Sequence, residues 1–232
     1  MIQIRDLQFA YDQGEFCLQV DELSVGAGER VAWTGPSGSG KTTLLHLVAG
    51  IVRPSTGQIT SCEVELSGLP ESARRDFRIA NVGLIFQDFA LLDYLSVLDN
   101  ILLPYRINRS LRLDAPVRRR AQQLATELGL AQFLLRRPTD LSHGERQRVA
   151  VCRALIANPR LVLADEPTAN LDADNASRVL DALDQHAKQQ GATLIVVTHD
   201  RDVLARYDRT IDVSSFCNRL QTTDVGGPSD ER

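Results

Sequence analysis

Eight consecutive residues, Gly35-Pro36-Ser37-Gly38-Ser39-Gly40-Lys41-Thr42, match the pattern GxxxxGK[ST] at every fixed position. The chemistry such a spacing permits is the capture of a polyphosphate. Glycines allow successive backbone N–H groups to point inward as a nest, and a helix beginning at Lys41 would add the positive end of its dipole. Lys41 would reach the β- and γ-phosphates, and Thr42 would offer a hydroxyl to Mg²⁺, which takes a few hard oxygens beside phosphate and water. A flexible Gly/Ser turn would have the same composition. The apolar strand pattern before the loop and the helical pattern after it favour the phosphate-binding reading.

A second constellation lies far along the chain, where the apolar run 161–164 ends in Asp165 and Glu166. Two acids side by side after a buried strand are costly unless a cation or hydrogen bonds compensate. This position suits Asp165 to hold a metal's water shell and Glu166 to stand beside an attacking water.

The elements that must position these groups follow from periodicity. Short or alternating apolar runs at 2–9, 16–25 and 30–34 predict strands, punctuated by Asp12-Gln13-Gly14 and Gly26-Ala27-Gly28. Residues 41–50 carry apolar side chains at helical spacing and stop at Gly50 and Pro54. The continuous aliphatic runs 161–164 and 193–198 predict strands buried on both faces of a parallel sheet. Helical patterns over 172–190 and after His199 complete a β-α-β alternation, so the class is α/β. From about 89 to 158 there is almost no strand pattern but helical periodicity in 117–128 and 142–157, which reads as an inserted helical lobe. Ser142 is a good N-cap for the apolar-periodic stretch 149–156. The expected domain is 1–215, and the Asp-, Gly-, Thr- and Ser-rich tail 216–232 is expected to be disordered.

Composition narrows the partners. With 232 residues the chain can bury a sizeable core in one domain of two lobes. A net charge of −4 gives no overall attraction to nucleic acid, which is not an expected partner. Cys17, Cys62, Cys152 and Cys217 form no CxxC or Cys/His cluster, so neither zinc nor a disulfide framework is suggested and a reducing cytosol fits. Charged and polar residues near the amino terminus leave no room for an export signal, and the apolar stretches are too short to cross a bilayer. Any membrane role is therefore expected to be peripheral. The arginines between 106 and 137, Arg109 among them, read first as a solvated helix face, with contact to a membrane surface or an acidic partner as the alternative.

Leu141-Ser142-His143-Gly144-Glu145-Arg146-Gln147-Arg148 resembles the signature motif of ABC ATPases, at the usual distance before Asp165 and Glu166, and the resemblance extends from Ile2 to about Val213. It implies a P-loop NTPase core with a mixed sheet, an antiparallel β subdomain and an inserted α-helical subdomain. It further implies that ATP is bound by the phosphate loop through Thr43, with Tyr11 stacking on adenine and Gln87 sensing the γ-phosphate and Mg²⁺. Thr42 and Asp165 would hold the metal, Glu166 would be the general base and His199 the switch histidine, while Asn170-Leu171-Asp172 matches the D-loop. Ser142, Gly144 and Glu145 of a second copy would close over the γ-phosphate, sandwiching two ATP molecules in a head-to-tail homodimer. The motif departs from the family's commonest form at His143, where glycine is usual. Ser142 and Gly144 are retained, so an active site is expected.

The segments 82–88 and 100–104 are similar to subunits of the lipoprotein-release and macrolide-exporter type, and the bacterial cell-division ATPase shares them. Such subunits power a separately encoded integral-membrane permease from the cytoplasmic face. The apolar run Phe89-Ala90-Leu91-Leu92-Asp93-Tyr94-Leu95 is expected to be mostly core, with part exposed as a groove for a permease helix. Soluble ABC ATPases of translation or DNA repair use the same nucleotide motifs but normally carry a second cassette, a long coiled coil or a zinc insertion. A P-loop kinase would account for neither 141–148 nor His199.

Overall fold

The structure, a computed structural model, describes residues 1–11, 16–108, 111–169 and 171–219. The turn residues Asp12, Gln13 and Gly14, together with Arg109, Asn170 and 220–232, lie outside the described residues.

Two sheets with different residue patterns enclose the core. Strands β1 (Ile2–Ala10) and β2 (Phe16–Val25) alternate between buried and exposed side chains, as a sheet with one dry face requires. They lie in an antiparallel sheet of order β10-β2-β1-β4-β5, with β4 (Thr56–Ser61), β5 (Val64–Glu65) and β10 (Cys217–Arg219). The second sheet is parallel, of order β6-β7-β8-β3-β9: β6 (Val82–Ile85), β7 (Leu161–Asp165), β8 (Thr193–Val197), β3 (Arg30–Thr34) and β9 (Arg209–Asp212). Every residue of β7 and β8 is buried, the counterpart of their unbroken aliphatic sequence.

Alternation along these strands divides the core in two. Leu161, Leu163, Ile195 and Val197 join Val31 and Trp33 against α1 (Lys41–Val48) and the antiparallel sheet. Their neighbours Val162, Ala164, Leu194 and Val196 join Ala32 against the helices α5 (Ala115–Glu127), α6 (His143–Leu155) and α7 (Ala173–Gln190). Each fully buried Val, Leu or Ile side chain among them contributes about 1.5–3 kcal/mol.

Four helices, α3 (Val97–Ile101), α4 (Leu103–Ile107), α5 and α6, lie between β6 and β7 and form the helical insertion. Local chemistry sets their starts. Ser96, Asp114 and Ser142 each accept a backbone N–H one turn on, and Asp172 does the same for α7, which ends on the left-handed Gly191. Among the described residues the remaining α-helices are α2 (Glu71–Asn81) and the four-residue α8 (Arg201–Leu204).

Several elements escape periodicity. In α2 only Phe77 is buried and charged residues outnumber apolar ones, so its narrow apolar face does not stand out in the sequence. Strand β9 sits at a sheet edge with no fully buried residue, and β4 is polar with a glycine. The tail expected to be disordered from 216 instead continues through Cys217–Arg219 as β10, with Cys217 opposite Leu18 and Arg219 opposite Phe16. Backbone pairing on the open edge of β2 supplies the order that composition did not suggest.

Candidate nucleotide site

Four neighbouring parallel strands, β6, β7, β8 and β3, end on the same side of the sheet, and each delivers chemistry at its carboxyl end. β3 runs into the glycine loop, β6 leads to Gln87, β7 ends in Asp165 before Glu166, and β8 leads to His199. These residues line one cleft of ≈ 620 Å³, walled on the antiparallel-sheet side by Tyr11 and Phe16.

In the loop, Gly40 caps α1 in the left-handed conformation (φ 89°), and a Cβ there would lie 2.8 Å from Cζ of Phe16. Gly35 (φ +144°) is equally exacting, because a Cβ would meet Ser39 Oγ at 2.7 Å. Lys41 folds over the loop, its Nζ donating to the carbonyls of Gly35 and Pro36 at 2.8 Å each. Beside it the Thr42 hydroxyl donates to Asp165 Oδ2 at 2.6 Å, tying the start of α1 to the end of β7. Asp165 is buried, while Glu166 turns out of the strand in a left-handed conformation (φ 48°) uncommon for a residue with a side chain. Its backbone N–H donates to Val197 O at 3.0 Å. Its Oε1 lies 2.8 Å from His199 Nδ1, joining the ends of β7 and β8 across the mouth of the cleft.

Tyr11 stands at the other end of the cleft. Its hydroxyl shares a 3.1 Å hydrogen bond with Thr43 Oγ1, and its ring packs edge-on to Phe9 (4.8 Å) and tilted toward Phe16 (6.0 Å). Phe16 was missed as a site residue because alternation identified it only as the start of a strand. The signal was an aromatic residue just across the turn from Tyr11.

Thus Tyr11, Gly35, Pro36, Ser37, Gly38, Gly40, Lys41, Thr42, Thr43, Gln87, Asp165, Glu166 and His199 come together. Ser39 is buried inside the loop rather than lining the cleft. Ser142, Gly144 and Glu145 do not line it within the same chain. Instead they form the amino end of α6, where Ser142 Oγ accepts from Glu145 N at 3.3 Å and Glu145 Oε2 accepts from Ser142 N at 2.7 Å. Gly144 abuts Leu171, since a Cβ there would lie 3.0 Å from Leu171 Cδ2.

A second cleft of ≈ 720 Å³ shares Thr42, Gln87 and Asp165 with the first and opens past His46, whose imidazole is held below its ordinary pKa by burial. Next to it a mostly apolar groove of ≈ 250 Å³ is lined by Leu84, Phe86, Ala90, Leu103, Pro104 and Ile107, with Arg78 and Arg153 also in its lining. Of the apolar run after Gln87, Phe89 is buried and Leu91 packs partly against the core, whereas Tyr94 is 72% exposed. Asn100 fixes this turn from beneath, accepting from Leu92 N at 2.8 Å and donating to Leu92 O at 3.0 Å.

Comparison with known proteins places these features in a family. The ABC transporter family profile matches residues 18–169. A lipoprotein-releasing system ATP-binding protein LolD of Hydrogenovibrio crunogenus is 40% identical over 212 residues, covering 90% of this chain and 91% of that protein. Its namesake from Chromohalobacter salexigens is 43% identical over 190 residues, covering 82% and 79%. Among solved structures, the dimeric post-hydrolysis state of the ATP-binding cassette MJ0796, bound to ADP and Pi, superposes with TM-score 0.86 at 30% identity, covering 95% of this chain and 99% of that one. A second dimeric structure of MJ0796, described as a bacterial ABC transporter cassette, gives 0.85 at the same identity. The chain therefore belongs to the ABC transporter family.

Proposed function

We propose that this protein binds and hydrolyses ATP with Mg²⁺ as a head-to-tail homodimer and thereby powers a separately encoded membrane permease of the lipoprotein-release type. The observation that carries the reading is the convergence of a phosphate loop, the Thr42–Asp165 pair and the Glu166–His199 pair at the ends of adjacent parallel strands. The names of the relatives and the ADP- and phosphate-bound dimer of the structural neighbour support it. Among the types sharing segments 82–88 and 100–104, the relatives favour lipoprotein release over export or cell division.

The donor set fits Mg²⁺. Thr42 hydroxyl and Asp165 carboxylate are adjacent, the Gln87 amide lines the same cleft, and the described residues contain no group of three or more His, Cys, Asp and Glu that could hold a metal by themselves. A site of so few hard oxygens suits a cation that keeps water and phosphate ligands. When bound, the ion neutralises charge on the β- and γ-phosphate oxygens.

The chain's own residues do the rest. Loop N–H groups and the amino end of α1 cradle the phosphates, and Lys41 exchanges its two loop carbonyls for phosphate oxygens. Tyr11 and Phe16 offer an aromatic wall for the adenine. Water adds to the γ-phosphorus as the bond to the bridging oxygen breaks, and Glu166 accepts the water's proton. His199 holds the Glu166 carboxylate through Nδ1. Ser142, Gly144 and Glu145 contribute from the second copy, where the amino end of α6 meets the γ-phosphate. Closed and open dimers differ in affinity for ATP and ADP, and only that difference can do work on the permease.

The apolar groove beside the second cleft, with exposed Tyr94 nearby in the chain, is the proposed seat of a permease helix. No described helix is long and apolar enough to cross a membrane, and we place the protein at the cytoplasmic face, held by its permease. Phosphate release by the purified complex tests the reading. Activity should require Mg²⁺, disappear with EDTA and return on adding the ion, whereas metal-independent turnover or none at all would refute it.

A further inference from the structure

Two residues after Gln87 the backbone does something unusual. Phe89 (φ 62°) and Ala90 (φ 47°) both adopt the left-handed conformation although neither is glycine. Successive residues of this kind persist only where their surroundings over-determine them. One helix, α6, meets these two residues from both of its ends. At its first turn the ring of His143 meets the Phe89 ring edge-on, with centroids 4.6 Å apart and planes at 74°. At its last turn Arg153 donates through its two terminal nitrogens to Phe89 O and Ala90 O, both at 2.5 Å. Phe89 is buried in this clasp, and burial lowers the Arg153 pKa to about 10.

We infer that His143 is a positioning residue: through Phe89 it fixes the turn that carries Gln87, so α6 and the γ-phosphate-facing amide move as one body. This rests on the nucleotide-site reading above. His143 sits next to the α6 N-cap Ser142, and Gln87 lines the cleft of the same chain. Capture of a second copy's phosphate at the amino end of α6 would therefore be transmitted to this chain's own Gln87 by direct contact. Arg153 anchors the backbone of the turn, while His143 sets the ring that orients it. An edge-to-face aromatic pair of this kind corresponds to about a threefold to tenfold change in an equilibrium.

The test uses the full-length chain. Backbone hydrogen exchange across residues 86–92, measured without nucleotide, should be about threefold to tenfold faster in His143→Ala, with the peptides of β7 and β8 unchanged. In ATPase assays kcat should fall by a similar factor while KM for ATP holds. His143→Phe, which keeps an aromatic ring in place, should restore both. Phe89→Leu should accelerate exchange by itself, and adding His143→Ala to it should do nothing further. Unchanged exchange in His143→Ala, failure of His143→Phe to restore it, or full additivity with Phe89→Leu would overturn the inference. Because exchange is read without nucleotide, it decides this point even if the chain proved to have no ATPase activity.

Discussion

Replacing Gly40 by alanine places one methyl group where the structure has no space for it. The residue caps α1 at φ 89°, and its Cβ would lie 2.8 Å from Phe16 Cζ and 3.1 Å from Leu18 Cδ1. Two costs arise. Holding a side-chain-bearing residue in the left-handed region costs about 1–2 kcal/mol, and forcing an extra carbon against packed side chains costs about 1–3 kcal/mol. Leu18 is fully buried and cannot yield, so Phe16 must move, and Phe16 is part of the cleft wall. The expected loss is about 2–5 kcal/mol, or about 4–20 °C in Tm for a chain of this size. ATP affinity should fall at least about tenfold, because the loop N–H groups and the aromatic wall are displaced together. Urea unfolding of nucleotide-free protein, repeated in a Phe16→Ala background, separates the terms. With the ring gone, Gly40→Ala should cost its backbone component and the milder 3.1 Å contact with Leu18 Cδ1, so the ring contact shows as a coupling of up to about 1–3 kcal/mol between the two sites. An equal cost in both backgrounds would refute the ring contact as the source.

Glu166→Gln keeps an acceptor for His199 and the same backbone but deletes the proton acceptor, so turnover should fall about 10²- to 10⁴-fold with ATP affinity preserved, and Mg·ATP should trap a dimer visible by gel filtration; turnover within threefold of the parent would remove Glu166 from the chemistry. Tyr94→Glu should weaken co-purification with the permease while shifting stability by less than about 0.5 kcal/mol, since the side chain is 72% exposed, and normal permease binding would place the docking surface elsewhere. His186 is buried, with Nε2 3.1 Å from Pro159 O, and burial lowers its pKa below the ordinary 6.5. The unfolded chain therefore takes up a proton that the folded chain refuses, so this contribution is intact above pH 6.5 and declines as pH falls through the folded value. The urea midpoint of His186→Gln should fall less steeply with acidification than that of the parent, and parallel curves would contradict the assignment.

What could be read from sequence was what local backbone chemistry decides. The phosphate loop is contiguous, so its strand, glycines, lysine and helix start were legible together, as were the doubly buried strands β7 and β8 and the Ser142 cap on α6. The resemblance to ABC ATPases carried Gln87, His199 and the signature residues, whose individual types are too common to single out. Elements stabilised from outside their own sequence were not legible: α2 buries only Phe77 among many charges, β9 is an exposed edge, and β10 acquires its order by pairing with β2. The pairwise geometry of the site was equally hidden, because contacts between Phe16 and Gly40, Glu166 and His199, or His143 and Phe89 join segments far apart in the chain. Hydrophobic burial selects which strands lie side by side without reference to the chemistry at their ends, and that lateral order brings Thr42, Asp165, Glu166 and His199 into one cleft.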